Sequence, residues 1–151
     1  MPFEVDVKKE QRKAVRYYLT TARKKAKLVR QNIELVGKYQ PVAVVIDPKG
    51  SASTLIAELE RAGIPLTQVT WPEYSRACGS LHDLVDQGTF WHVDQPILNA
   101  AVAGATAKVM PSGGWKWAPR GEVSVGPLRA LTLALHGHTD AGSNDITHQI
   151  R

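Results

Sequence analysis

Cysteine is nearly absent from this sequence, with Cys78 standing alone among 151 residues. One cysteine makes no internal disulfide and excludes a zinc site built from paired cysteines. A reducing compartment fits that usage. Long apolar runs are missing too. The longest falls far short of the roughly 20 residues that cross a bilayer, so neither a transmembrane helix nor a membrane partner is expected. The opening MPFEVDVKKEQRK lacks the apolar core of a secretory signal. No G-x-x-x-x-G-K-[ST] phosphate loop occurs, so nothing marks the chain as a nucleotide-driven motor. Proline is missing between Lys9 and Tyr39, where Gly37 is the one glycine.

Charge is what the chain has, and it is unevenly placed. The net charge is +5, yet residues 1–38 carry 11 Lys/Arg against 4 Asp/Glu, while residues 39–151 carry 8 against 10. A clustered basic segment suits a phosphate-rich partner. It equally describes a solvated helix face.

Periodicity organises the remainder. FEVDV (3–7) alternates like a short half-buried strand. From Lys9 to Tyr39, Val15, Leu19, Ala22, Ala26, Val29, Ile33 and Val36 recur at steps of three and four, predicting one long basic helix. Its two alanines make a weak coiled-coil seam, so packing on a sheet is the better expectation. Gln40-Pro41 ends the helix. VAVVI (42–46) reads as a strand buried on both faces. SASTLIAELERAG reads as a helix, LTQVT (66–70) as a strand, PEYSRACGSLHDLVDQG as a helix and TFWHV (89–93) as a strand. DQPILNAAVAGATAKV reads as a helix capped by Asp94, PSGGWKWAPRGE as a loop or hairpin, and PLRALTLALHG as a last helix. The tail, 137–151, has no apolar period and is expected to be mobile. Helices alternating with short buried strands predict a single α/β domain over 1–136 with a largely parallel sheet.

The sharpest local feature is the acid that stops VAVVI. In open α/β sheets the functional crevice lies beyond the carboxyl ends of the strands, and Asp47 stands at such an end. It is either an acid aimed at a cation or a turn residue accepting backbone N–H groups. Other features carry similar pairs of readings. His92 is a structural histidine or an acid–base group. His136, His138, Asp140 and His148 are a tail or a weak metal cluster. Trp115 and Trp117 pack inward from a hairpin strand or stack on bases, with Lys116 and Arg120 gripping phosphate. Cys78, mid-stripe, belongs to the core.

The stretch VVIDPKGSASTLIAELERAGIPLTQVTWPEYSRACGSLHDLVDQGTFWHVDQPILNAAVAGA, continued by GWKWAPR and PLRALTLALHG, resembles the C-terminal part of tailed-phage terminase large subunits, above all those of actinobacterial phages and prophages. The resemblance runs over residues 20–136 and rests on an ordered set of elements. It implies a ribonuclease H-like nuclease domain, a mostly parallel sheet flanked by helices, acting in the host cytoplasm. It implies cutting of concatemeric double-stranded DNA during packaging, beside other terminase subunits or the portal. It also implies two Mg²⁺ or Mn²⁺ ions held by carboxylates, since hard dications prefer oxygen and a pair about 4 Å apart clamps both reacting oxygens.

Asp47 matches the family's acid on its central strand. Elsewhere the chain departs from the pattern. FEVDV stands where the third strand would, so the first strands and their acid are expected to be missing. Asp6 substitutes only if that strand takes the first strand's place. Ser124 stands where a later acid is expected, just before the last helix. Glu122, two residues upstream, is the alternative ligand, and Asp83 reads as a solvated helical acid. Arg12, Arg16, Arg23, Lys24 and Lys27 of the basic helix, with Lys116 and Arg120, are the expected DNA contacts. Two functions follow: a metal-dependent DNA endonuclease with an incomplete acidic site, or a non-catalytic DNA-binding or assembly module such as a prophage remnant.

Overall fold

A computed structural model describes residues 14–15 and 22–149, with side chains described for 25–142. Strands β1 (Ala14–Val15), β2 (Ala43–Ile46) and β3 (Leu66–Gln68) lie side by side in that order, all parallel. Parallel neighbours need crossovers. Helix α1 (Ala22–Tyr39) makes the first, and a 3₁₀ turn (Ser51–Leu55) with α2 (Ile56–Arg61) makes the second. Helices α3 (Trp71–Asp86) and α4 (Pro96–Ala103) follow, then the antiparallel pair β4 (Ala105–Val109) and β5 (Trp115–Pro119), then α5 (Gly126–Gln149). This is an α/β fold with a parallel sheet, as the alternation predicts.

Strand β2 is apolar throughout because both of its faces are covered. Val44 packs with Leu28, Leu55, Leu59 and Ile64 under α1 and α2. Val45 points the other way, to Val69, Tyr74 and Cys78, with Trp115, Trp117 and Leu133 against them. Helix α5 lies directly on this second face. A Cβ at Gly137 would run into the side chain of Val45, so glycine sets the approach of helix to strand. A third cluster, Leu81, Leu98, Ala101, Leu128 and Leu131, joins α3, α4 and α5.

Several sequence expectations need correction. Residues Ala14–Val15 pair with Ala43–Val44 as strand, so the helix, described over Ala22–Tyr39, does not run unbroken from 9 to 39. Pairing gives those backbone groups partners in the sheet. FEVDV lies outside the described residues. Within α1 the buried face is turned from the predicted stripe, with Leu28 and Asn32 buried and Ile33 exposed. Asn32 tolerates burial by donating from Nδ2 to the carbonyl of Leu28 at 2.8 Å. TFWHV is irregular rather than a strand. The Thr89 N–H donates back to the Leu84 carbonyl, and Trp91 remains exposed. DQPILNAAVAGATAKV divides at Gly104 into α4 and β4, because Ala105–Val109 finds a ladder partner in Trp115–Pro119. Asp94 does not cap it, since Gln95 holds that position, and Asp94 accepts from Asn99 Nδ2 at 2.6 Å instead. The backbone of the expected tail continues as helix to Gln149. Among the described residues no helix is long and apolar enough to cross a membrane.

Candidate functional site

Asp47 follows the last residue of the middle described strand and opens a tight turn. Its Oδ1 accepts the backbone N–H of Lys49 at 2.9 Å, and the Gly50 N–H donates to its carbonyl at 3.0 Å. A Cβ on Gly50 would sit 3.3 Å from Oδ2, a tight contact that a larger residue would relieve only by shifting the carboxylate. One carboxylate oxygen therefore serves the local backbone. The residue also lines an open crevice of about 790 Å³ and an adjoining pocket of about 100 Å³ that shares Gly50, Tyr74 and Arg129 with it. Asp47 is thus a turn residue that also borders a crevice.

The walls come from distant segments. Lys49 and Gly50 arrive from the turn after β2, and Thr70, Trp71 and Tyr74 from the start of α3. Ser112 and Lys116 come from the hairpin, and Arg129 from the first turns of α5. Thr70 starts α3 with a capping box. Its N–H donates to Glu73 Oε2 at 2.6 Å, and its Oγ1 accepts the Glu73 N–H at 3.4 Å. The Thr70 N–H, then its hydroxyl, hold the Glu73 carboxyl below its ordinary value. That box fixes the first turn, and so the place of Tyr74.

The electrostatics are lopsided. Among the described residues, Lys49, Lys116 and Arg129 share the crevice with a single carboxylate, Asp47. Arg129 donates from Nη2 to the Trp117 carbonyl at 3.3 Å, while its Nε–H is buried without an acceptor. The Tyr74 hydroxyl is likewise buried without a partner. It lies near the Cys78 thiol but makes no well-formed hydrogen bond there. Burial, then the charge of a Cys78 thiolate, pushes the Tyr74 phenol far up, so it remains a neutral donor. Burial also raises the Cys78 thiol, which is a core group as expected.

Two divalent ions do not fit this donor set. They need several carboxylate oxygens, and among the described residues the crevice offers one carboxylate against three cations, with one of its oxygens bonded to the Lys49 N–H. Among the described residues no three His, Cys, Asp or Glu side chains come together in a way that would hold a metal. Glu122 is exposed in the loop after β5 and does not line the crevice. Ser124, in the expected acid's position, accepts the Gly126 N–H at 3.2 Å at the start of α5. Asp6, Arg12 and Arg16 lie outside the described residues. Arg23 and Lys24 lie in α1, but their side chains are not described.

Of the other expected DNA contacts, Lys27 and Arg120 are exposed, and Lys116 lines the crevice. The tryptophans are settled by packing. Trp115 and Trp117 meet edge to face at 4.7 Å and point into the core, and Trp117 Nε1 donates to Thr132 Oγ1 at 3.0 Å. They are not free to stack on bases. His92 accepts the Asp94 N–H at 3.1 Å and stacks on Phe90, a structural role. His136 lines a groove with Glu73, Arg76 and Asp140 between α3 and α5. Tyr74, Lys49 and Arg129 escaped the sequence reading. The signal for Arg129 was its isolation in PLRALTLALHG, where one cation breaks an apolar helix.

The chain is an α/β domain whose fold is similar to part of a solved structure, the large terminase of bacteriophage HK97, at a TM-score of 0.59 and 16% identity. The match covers 74% of this chain and 24% of that one, so the chain spans about a quarter of the terminase's length. At that identity the likeness is one of fold. No model of a known protein family matches the chain. No curated protein matches it either.

Proposed function

We propose that the chain is a nuclease-domain-like segment of a phage terminase large subunit, of the actinobacterial phage type, and that it engages double-stranded DNA in the host cytoplasm. The observation that carries this reading is a cation-lined crevice at the carboxyl edge of the middle strand in a terminase-like fold. Lys27 and Arg30, exposed on α1, add further charge suited to phosphate. Other terminase subunits or the portal are the protein partners that go with this role.

Asp47 favours a second reading, a Mg²⁺- or Mn²⁺-dependent endonuclease, because it ends the strand on which the family carries an acid. That reading needs carboxylates beyond those lining the crevice. Asp6 and Glu122 are this chain's candidates, the second only after its loop moves.

Incubating supercoiled plasmid with Mn²⁺ and either wild type or Asp47→Ala separates the two. DNA engagement without chemistry gives intact plasmid that is retarded on a gel, and retardation that weakens with salt. Nicking by the wild type that disappears in Asp47→Ala would establish the endonuclease instead. Plasmid neither cut nor retarded would remove both readings.

A further inference from the structure

We propose that the crevice at the end of β2 is a seat for one phosphate of a nucleic-acid backbone, held by protein donors without a metal ion. The inference rests on the DNA reading above and goes beyond it, because it reverses the role that the fold would assign to Asp47. Three observations carry it.

Charge is the first. Among the described residues, Lys49, Lys116 and Arg129 line the crevice against the one carboxylate of Asp47. The ion pairs recorded among those residues, Lys25 with Glu58 and His82 with Asp83, lie elsewhere. The described lining of the crevice is therefore net positive.

Unsatisfied donors are the second. Tyr74 is 5% exposed, and its hydroxyl has no partner; the Arg129 Nε–H has none either. Buried polar groups are nearly always paired, and each exception calls for an explanation. Two donors from different helices, both on residues that line the pocket beside Asp47, are left with unused hydrogen-bonding capacity next to it, and a group that only accepts would use that capacity once the side chains turn toward it. A phosphodiester is such a group, and guanidinium matches its geometry.

The carboxylate is the third. Asp47 commits Oδ1 to the turn, so its structural work is done by an acceptor oxygen and not by its charge. For a bound phosphate that charge is a penalty, offset by Arg129. Metal-mediated binding would need the same charge.

The two cases differ in sign under one substitution. Asn keeps an acceptor oxygen for the Lys49 N–H and removes the charge. The full chain, in EDTA, is titrated with dimethyl phosphate by amide NMR and with a short DNA duplex by fluorescence anisotropy. Asp47→Asn is expected to bind both about fivefold more tightly. Lys116→Ala is expected to weaken both about fivefold and to lower the salt slope of duplex binding by about 1. Tyr74→Phe should keep the wild-type melting temperature or exceed it, while weakening dimethyl phosphate. Loss of binding in Asp47→Asn, or binding that returns only with Mg²⁺, would overturn the seat. Unchanged duplex affinity and slope in both Asp47→Asn and Lys116→Ala would overturn it too, while leaving the DNA reading intact. If dimethyl phosphate still shifts Gly50 and Ser112 and the duplex does not bind, the seat stands and the DNA reading falls.

Discussion

The two faces of β2 are built on different chemistry. Toward α1 and α2, Val44 meets Leu28, Leu55, Leu59 and Ile64, a layer of aliphatic side chains. Toward α3, α5 and the hairpin, Val45 meets Tyr74, Cys78, Trp115 and Trp117, and polar ties run through the packing. Ser75 Oγ accepts the Trp115 N–H at 2.9 Å. The Thr132 hydroxyl, fully buried, accepts from Trp117 and donates to the Leu128 carbonyl at 2.7 Å. This second face opens at its edge into the crevice lined by Tyr74 and Arg129. The difference teaches a division of labour: one face supplies stability, and the other gives up some of it to hold a polar site.

The largest effect should come from the aliphatic face. Leu59 is 0% exposed. Leu59→Ala is expected to cost about 2–5 kcal/mol in urea melts, while DNA affinity of the folded protein stays at the wild-type value. An equal loss of affinity would erase the division. On the other face, Trp117→Phe removes the bond to Thr132 and some volume, and should cost about 1–3 kcal/mol. It should also reduce DNA affinity by loosening the packing of β5, whose main-chain carbonyl at residue 117, kept in the variant, accepts from Arg129. A stability loss with unchanged affinity would separate the core beneath the crevice from its function.

The smallest effect is electrostatic. Glu73, held below its ordinary value by Thr70, stabilises the fold fully above the usual carboxylate range. That contribution is lost as pH falls through its lowered value in the folded state. Melting temperatures of wild type and Glu73→Gln should therefore differ at pH 7 and converge in acid. A difference that persists or grows in acid would contradict the capping box as the cause.

Legibility in the sequence followed the same division. VAVVI was readable because burial on both faces leaves an uninterrupted apolar run, and the end of α1 because Pro41 follows it. The strand β4 was not readable. AVAGATAKV is locally as helical as strand-like, and only pairing with WKWAP decides it. The buried face of α1 was misplaced because Asn32, which bonds to its own helix, takes a position that reads as polar. Asp47 could be found from the rule that strand ends face crevices. Tyr74 and Arg129 could not, because one looked like core and the other like a stray surface cation. Their convergence is set by Gly137, which seats α5 on Val45.

The most direct test of the account is the affinity of the intact chain for a DNA duplex, measured in EDTA between 50 and 200 mM salt. If about six cations of the crevice and α1 engage phosphates, affinity falls roughly a thousandfold across that range with no metal present. An affinity indifferent to salt, or binding that appears only when Mg²⁺ or Mn²⁺ is added, would contradict it.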